Sequence, residues 1–264
     1  MKMLQAVMNA VAQAGSSILD VYNSDDFGIE IKEDNSPLTK ADQLAHDILV
    51  KALSELKVGP ILSEEDADIS WAERQSWKQY WLVDPLDGTK EFIKRSGEFT
   101  VNVALVRDGE PVLGVVYAPV MDLWYVGEQG KGAWKQQGAG ERKCIKPAAI
   151  PEQGKTWRIV GSRSHSSDDF ERFMAVFPNA DLLSVGSSLK LCMVADGSAD
   201  LYPRLIPTCE WDTAAAQAIV EAAGAKVLNW ETKEPLRYNT KETLLNPYFV
   251  VCSEPSKVWL NLSF

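Results

Sequence analysis

Apolar residues recur with a helical period in some segments of the chain and in short runs in others. Between residues 3 and 22 they return about every 3.6 positions and predict an amphipathic helix. The same spacing predicts a second helix over 41–53, with Thr39 as its N-cap. A short strand at 29–32 and a polar loop from Glu33 to Pro37 are expected between the two helices.

Short apolar and β-branched runs predict a strand meander after the second helix. The predicted strands lie at 60–62, 80–83, 101–107, 112–117 and 123–126. Between two of them, Asp108-Gly109 is typical of a hairpin turn. A polar loop is expected between the first and the second of these strands.

Helices and strands alternate after a Gly- and Lys-rich segment from Gly127 to Pro151. Strands are predicted at 157–161, 181–185, 199–203, 226–229 and 248–252, and helices at 167–177, 187–196 and 213–223. Gly224 stands where the last helix is expected to stop. We therefore predict a layered α/β fold with mixed sheets, divided into halves over 1–149 and 150–264.

The composition is that of an acidic globular protein. The chain has 264 residues, 45% apolar and 24% charged, which excludes disorder, collagen and coiled coil. Its net charge of −10 argues against a nucleic-acid partner. No run approaches the roughly 18 apolar residues of a membrane span, so no integral membrane contact is expected. The four cysteines lie far apart and without a C-x-x-C pair, which favours a cytoplasmic protein. Peripheral association at the inner membrane and the oligomeric state stay open.

Two carboxylates flank a proline at the predicted exit of the 80–83 strand, in Asp84-Pro85-Leu86-Asp87-Gly88-Thr89. Hard cations prefer oxygen ligands, and Asp84, Asp87 and the Leu86 carbonyl offer them at one bend. Asp87-Gly88-Thr89 can start a helix, whose first amide groups favour an anion such as phosphate. The alternative is a strand, a turn and a capped helix, with Asp87 as an ordinary turn residue.

Two further acidic sites follow predicted element ends. Ser63-Glu64-Glu65-Asp66 ends a strand, and Glu210-Trp211-Asp212-Thr213 begins a helix. Taken alone, Asp212 is compatible with an N-cap and Glu64 with a solvated loop acid. Together with the Asp-Pro-Leu-Asp-Gly-Thr run, and with Trp211-Asp212 followed by eleven residues and then Gly224, the order resembles the lithium-sensitive, magnesium-dependent inositol monophosphatase superfamily. Ala225 departs from the pattern, which often has a second glycine there.

The resemblance implies an inositol-monophosphatase/sugar-phosphatase-like sandwich of alternating helix and mixed-sheet layers, and a site with two magnesium ions. Glu64 and the Leu86 carbonyl would complete the first ion's site, Asp87 and Asp212 would bind the second ion, and Asp84 would bridge both. Four clustered carboxylates repel one another unless divalent cations neutralise them, which agrees with these roles.

The resemblance also implies catalytic roles. Thr89 and Glu64 would orient the attacking water, and the Gly88 and Thr89 amides would hold phosphate. Asp42 would act as proton acceptor near a weak third metal site. No covalent nucleophile is expected, because no cysteine or hydroxyl has a histidine base at motif spacing.

The substrate class depends on residues of the second half. His165, Ser187, Lys190 and Arg204 resemble, in type and spacing, the nucleotide contacts of the bacterial CysQ-type 3′(2′),5′-bisphosphate nucleotidases, with Asp212 also at the substrate. That resemblance implies hydrolysis of adenosine 3′,5′-bisphosphate to AMP, and of 3′-phosphoadenylyl sulfate. Each residue also has an ordinary structural role, as a surface histidine, a helix cap or a solvated lysine. The alternatives are an inositol monophosphatase and a metal- and nucleotide-binding sensor without catalysis.

Overall fold

The computed structural model describes residues 2–24, 27–28, 30–31, 37–161 and 167–262. These ranges contain seven α-helices: α1 Lys2–Tyr22, α2 Lys40–Glu55, α3 Trp71–Arg74, α4 Thr89–Ile93, α5 Asp168–Met174, α6 Leu189–Ala195 and α7 Ala214–Ala223. Among them, no helix combines the length and the apolar character needed to cross a membrane.

The same ranges contain fourteen strands. They are β1 Glu30–Ile31, β2 Pro37–Leu38, β3 Ile61–Ser63, β4 Gln79–Asp87, β5 Thr100–Arg107, β6 Glu110–Ala118, β7 Leu123–Glu128, β8 Gly132–Gln137, β9 Lys143–Cys144, β10 Arg158–Gly161, β11 Asp181–Ser184, β12 Leu201–Arg204, β13 Lys226–Asn229 and β14 Phe249–Cys252. β1 and β2 pair only with each other, antiparallel, and the other twelve form two larger sheets.

The first of these sheets follows chain order from β3 to β9. β3 and β4 are parallel and every later pair is antiparallel; short hairpins join the strands from β5 to β9, whereas α4 lies between β4 and β5. Side chains alternate across the sheet, so Trp81 and Val83 of β4 pack with α1 and α2. Tyr80 and Leu82 face the other side, toward α6 and α7.

The second sheet has the order β11-β10-β12-β14-β13. β10 is parallel to both of its neighbours, whereas β14 is antiparallel to both. Phe249 and Val251 pack with α6 and α7, and Val250 packs on the opposite side with Phe173 of α5. The layers therefore run helix, sheet, helix, sheet, helix, which confirms the predicted α/β fold of alternating helix and mixed-sheet layers.

The two large sheets share one buried cluster. The first sheet ends at Cys144 and the second begins at Arg158. Apolar residues of both sheets meet in the cluster that surrounds α6 and α7. The division near residue 149 stays a prediction, since a shared core does not by itself define two units.

Helix α7 lies unusually close to the first sheet because two glycines face it. A Cβ on Gly114 of β6 would come within 2.0 Å of the Ala215 carbonyl oxygen. A Cβ on Gly127 of β7 would come within 2.5 Å of the Ile219 Cα. The helix ends at Gly224, whose φ of 98° is the left-handed cap expected there.

Several element boundaries differ from the sequence predictions. α5 and α6 are both shorter than predicted, since the Ser187 and Ser188 positions precede α6 and α5 ends before 175. α3 lies in a predicted loop, where the Ser70 hydroxyl caps it at the Glu73 amide. β8 and β9 occupy the Gly-rich segment; their largely polar, half-exposed side chains give no apolar alternation to detect. The predicted Thr39 cap of α2 is confirmed.

Candidate active site

A bulge in β4 brings the two acids of the Asp-Pro-Leu-Asp run to one side of the sheet. Asp84 pairs with Asn102 and Asp87 with Thr100, so two residues of β4 face one residue of β5 between these pairs. In a regular strand, residues three apart project from opposite faces, and one extra residue restores them to the same face. Pro85, which cannot donate to the ladder, lies within the bulge. The predicted strand end at Asp84-Pro85 is therefore wrong, because the strand continues to Asp87.

The third acid arrives from the C-terminal half. Asp212 ends a short 3₁₀ turn, Glu210–Asp212, just before α7. Asp84, Asp87 and Asp212 each offer a carboxylate oxygen, and these oxygens lie within 4.8 Å of one another. Glu64 follows β3, and its amide donates to the Val83 carbonyl at 3.0 Å, which places it beside Asp84 at the sheet edge.

Burial and mutual repulsion dominate the electrostatics of these acids. Burial raises the pKa of Asp84 well above its usual range, and the charges of Glu64, Asp87 and Asp212 raise it further. Burial and the charges of Asp87 and Glu64 raise the pKa of Asp212 to about 8. The ionised forms of these carboxylates are therefore unfavourable unless a positive charge lies between them. A hard divalent cation, which prefers oxygen ligands, would supply that charge and remove the repulsion.

Asp87 is held by donors from β5 of the first sheet and from Ser188 at the start of α6. Its Oδ2 atom accepts hydrogen bonds from the Ser188 amide at 2.6 Å and the Ser188 hydroxyl at 2.7 Å. The Asn102 amide group and the Thr100 hydroxyl lie at 3.3 and 3.4 Å from the same oxygen. The Oδ1 atom accepts none of these bonds, so it is the oxygen that remains available to a cation.

The other two acids follow the same division. Asp84 accepts the Leu86 amide at Oδ1, at 3.1 Å, and Asp212 accepts the Cys209 amide at Oδ2, at 2.9 Å. Within the part of the chain that the structure describes, the second oxygen of each carboxylate accepts no hydrogen bond. Each acid is thus oriented by one oxygen and can bind metal with the other.

Asp42 and Thr89, far apart in the sequence, meet beside this cluster. Asp42 is buried in the first turn of α2, where the Thr39 amide and hydroxyl donate to its Oδ2 at 2.7 and 2.6 Å. The Thr89 hydroxyl lies 3.3 Å from Asp42 Oδ1 and 3.4 Å from the Leu86 carbonyl oxygen. Gly88 precedes α4 with φ of 94°, a conformation that favours glycine.

A cleft of about 140 Å³ adjoins the acids and contains most of the predicted substrate residues. Its lining includes Asp87, Gly88, Ser187, Lys190, Arg204 and Asp212. Lys190 is 9% exposed, and burial lowers its pKa to about 8, although nearby Asp87 opposes the shift. Ser187 Oγ and Arg204 Nε are buried, and neither has a hydrogen-bond partner among the described residues. The predicted His165 lies outside the described residues.

The chain is similar to known phosphatases along almost its whole length. Residues 1–260 match the model of the inositol monophosphatase family. The chain belongs to that family. It is 47% identical over 251 residues to the 3′(2′),5′-bisphosphate nucleotidase CysQ of Escherichia coli (strain K12), covering 94% of this chain and 99% of the relative. The CysQ of Haemophilus influenzae is 36% identical over 98% of this chain and 96% of its own length. The crystal structure of CysQ from Bacteroides thetaiotaomicron superposes with a TM-score of 0.83 at 44% identity, covering 95% and 97% of the two chains.

Membership of the inositol monophosphatase family agrees with the assembled acids, but other residues at the site carry no motif in this sequence. Ser188 holds Asp87 from the second half, and the Asn102 side chain donates to the Ser188 hydroxyl at 2.8 Å. Asn102 interrupts an otherwise apolar strand, which is the one sequence signal that could have identified it. Ser188 gives no such signal, since its contact depends on how two distant segments pack.

A buried polar network supports the turn that carries Asp212. Glu210 is 1% exposed and accepts the Asn239 amide at Oε2, at 2.8 Å. The Arg74 guanidinium donates to the Asn239 side-chain oxygen at 2.8 Å and to the Lys241 carbonyl at 3.1 Å. Burial raises the pKa of Glu210 to about 7. This network ties α3 to the Asp212 turn through Arg74 and Asn239, two residues that belong to no motif in the sequence.

Proposed function

We propose that the chain is a metal-dependent phosphatase that removes the 3′-phosphate of adenosine 3′,5′-bisphosphate, giving AMP and phosphate. The observation that carries the proposal is one cleft with two kinds of group. Asp84, Asp87 and Asp212 bring carboxylate oxygens within 4.8 Å of one another. Two of these acids, Asp87 and Asp212, line the cleft together with Lys190 and Arg204. The similarity to CysQ nucleotidases supports this substrate class. The sulfated relative of the substrate, 3′-phosphoadenylyl sulfate, is proposed as a second substrate.

The proposed cofactor is Mg²⁺, with two ions and a weak third site near Asp42. Glu64, Asp84 and the Leu86 carbonyl would hold the first ion, and Asp84, Asp87 and Asp212 the second. Only oxygen atoms are offered, which suits Mg²⁺ better than a soft metal. When bound, such ions lower the pKa of a water and neutralise charge on the phosphate and on the leaving oxygen.

The remaining catalytic work is assigned to the chain's own residues. Thr89 and Glu64 would orient the attacking water. Asp42 would accept a proton at Oδ1, the oxygen that lies 3.3 Å from the Thr89 hydroxyl. The Gly88 and Thr89 amides, at the start of α4, would hold the phosphate that reacts.

The substrate's second phosphate and nucleoside are assigned to the other end of the cleft. Lys190 and Arg204 supply positive charge there, and the Ser187 hydroxyl, which has no partner in the part of the chain that the structure describes, can donate to a phosphate oxygen. His165 is retained as a nucleotide contact, and Asp212 as a group that touches both metal and substrate. A substrate with one phosphate leaves these cations unpaired, so the cleft favours a bisphosphate.

Phosphate release from three compounds tests the proposal. Adenosine 3′,5′-bisphosphate, inositol 1-phosphate and fructose 1,6-bisphosphate are compared with Mg²⁺ and with excess EDTA. We expect kcat/KM for the adenosine compound to exceed the others by more than about 10-fold, with no release in EDTA. Preference for inositol 1-phosphate would make the chain an inositol monophosphatase. Tight nucleotide binding without any release would make it a sensor.

A further inference from the structure

The loop between β11 and α6 is tied to the first half of the chain at two points. The Gly186 amide donates to the Glu98 carboxylate at Oε2, at 3.0 Å. The Ser188 amide and hydroxyl donate to Asp87 Oδ2 at 2.6 and 2.7 Å. Ser187 is the single residue between these two attachments, and it lines the cleft.

Ser187 has two features that need support from its surroundings. Its φ is +49°, in the left-handed region that residues with a Cβ rarely adopt. Its hydroxyl is buried without a hydrogen-bond partner in the described part of the chain. A strained residue with an unpartnered polar group persists only where neighbouring contacts fix it, and such residues cluster at functional sites.

Glu98 supplies one of these contacts at very short range. A Cβ on Gly186 would come within 2.5 Å of the Glu98 carbonyl oxygen, so the two backbones lie against each other. The same carbonyl oxygen lies 3.5 Å from the position a Cβ would take on Gly88. The Glu98 segment therefore borders both the phosphate-binding turn and the loop that carries Ser187.

We infer that Glu98 is a positioning residue for substrate, because it holds Gly186 so that the Ser187 hydroxyl stays in the cleft. The inference rests on the proposed function, which identifies the group bound by the Ser187 hydroxyl as the substrate phosphate that does not react. Glu98 is absent from the described lining of the cleft, and a carboxylate would repel a phosphate there. It acts on substrate through the loop.

Four variants test the inference against a merely structural role. Glu98→Ala removes the acceptor of the Gly186 amide, whereas Glu98→Gln keeps an oxygen that can accept it. Ser187→Gly removes the hydroxyl and fits the left-handed backbone without strain. Glu73→Ala, at an exposed position on α3, is the matched control.

We expect Glu98→Ala to raise KM for adenosine 3′,5′-bisphosphate about 5- to 20-fold, with kcat within about 2-fold. In Glu98→Ala, the Mg²⁺ concentration that gives half-maximal activity and the Tm should both stay at the wild-type values. Glu98→Gln and Glu73→Ala should behave as wild type. Glu98 affects substrate binding only through the Ser187 hydroxyl. Once that hydroxyl is removed, in a Ser187→Gly background, Glu98→Ala should therefore raise KM by less than about 2-fold.

Three results would overturn the inference. They are independent multiplication of the two KM effects, equal loss in Glu98→Gln and Glu98→Ala, and a shift in Mg²⁺ half-saturation. The proposed function is judged separately, on the substrate preference of the wild-type protein. If the wild type prefers another phosphate ester, the same coupling between positions 98 and 187 is measured with that ester.

Discussion

Removing the charge of Lys190 should separate substrate binding from chemistry. Lys190 lies in the first turn of α6, is 9% exposed, and lines the cleft beside Asp87 and Arg204. Methionine keeps an unbranched apolar stem and removes the ammonium group, so Lys190→Met preserves packing. The variant therefore tests the charge and not the fold.

The size of the effect follows from the contact that is lost. A charge-assisted hydrogen bond to phosphate contributes about 1.5–3 kcal/mol, so KM for adenosine 3′,5′-bisphosphate should rise roughly 10- to 100-fold. Because that phosphate does not react, kcat should change little. Arg204→Ala should show the same division between KM and kcat, and KM for a small monophosphate ester should hardly change in either variant.

The lowered pKa adds a second signature. With a pKa of about 8, roughly three quarters of Lys190 is protonated at about pH 7.5 and roughly one tenth at about pH 9. Wild-type KM should therefore rise about 8-fold over this interval, whereas KM of Lys190→Met should stay constant. Because the folded pKa of Lys190 lies below its usual value of 10.5, protonation costs stability progressively as the pH falls from about 10.5 to about 8, and the full cost applies below about pH 8. The variant's Tm at neutral pH should consequently rise, by an equivalent of at most about 3 kcal/mol.

Steady-state kinetics with both substrates and a thermal melt decide the question. Lys51→Met, at an exposed position on α2, is the control and should match the wild type. Equal losses with the bisphosphate and the small ester would refute the reasoning, because Lys190 would then serve the fold or the metal site. An unchanged KM for both would remove the main support for a nucleotide substrate.

Three further predictions concern the metal site and the thiols. Asp87→Asn and Asp84→Asn should fold normally but lose Mg²⁺-dependent phosphate release, because the amide keeps the size of the ligand and loses its charge. Asp68→Asn is the control, and a folded Asp87→Asn or Asp84→Asn variant with wild-type turnover would show that the acid has a structural role. Because the pKa of Asp212 is raised to about 8, the metal-free fold becomes less stable as the pH rises toward that value. The increase in Tm on adding Mg²⁺ should therefore grow from about pH 6 to about pH 9, and an increase that is constant with pH would contradict this. At about pH 8 a thiol reagent should modify exposed Cys144 before the buried Cys192 and Cys252, since burial raises the pKa of both buried thiols, that of Cys252 to about 12. In Cys144→Ser, one equivalent of rapidly modified thiol should be lost.

Local patterns in the sequence were sufficient for the α/β class and for the family, whereas the layer order was expected only from the family resemblance. Apolar periodicity located α1, α2, α7 and the long strands, and the spacing around Asp84 and Asp212 identified the family. The bulge in β4 escaped prediction, since a proline after a strand is equally compatible with a strand end. α3 and β9 escaped because four- and two-residue elements are too short to show a period.

The contacts that orient the site depend on long-range packing. Ser188 binds Asp87 and Glu98 binds Gly186 across the boundary between two distant chain segments. Neither pair has a fixed spacing or a characteristic residue type, so the two contacts cannot be predicted from one sequence. The left-handed conformation of Ser187 is likewise visible only once both of its neighbours are anchored.

Gly114 and Gly127, the two glycines beneath α7, restrict how the two large sheets can move relative to each other. Asp212 comes from the C-terminal half of the chain, yet the backbone of α7, the helix that follows it, packs directly against the first sheet at Gly114 and Gly127. A clamshell opening of the halves would have to unseat that helix and pull Asp212 away from Asp84. The cluster of Asp84, Asp87 and Asp212 therefore stays assembled only while α7 remains packed on Gly114 and Gly127.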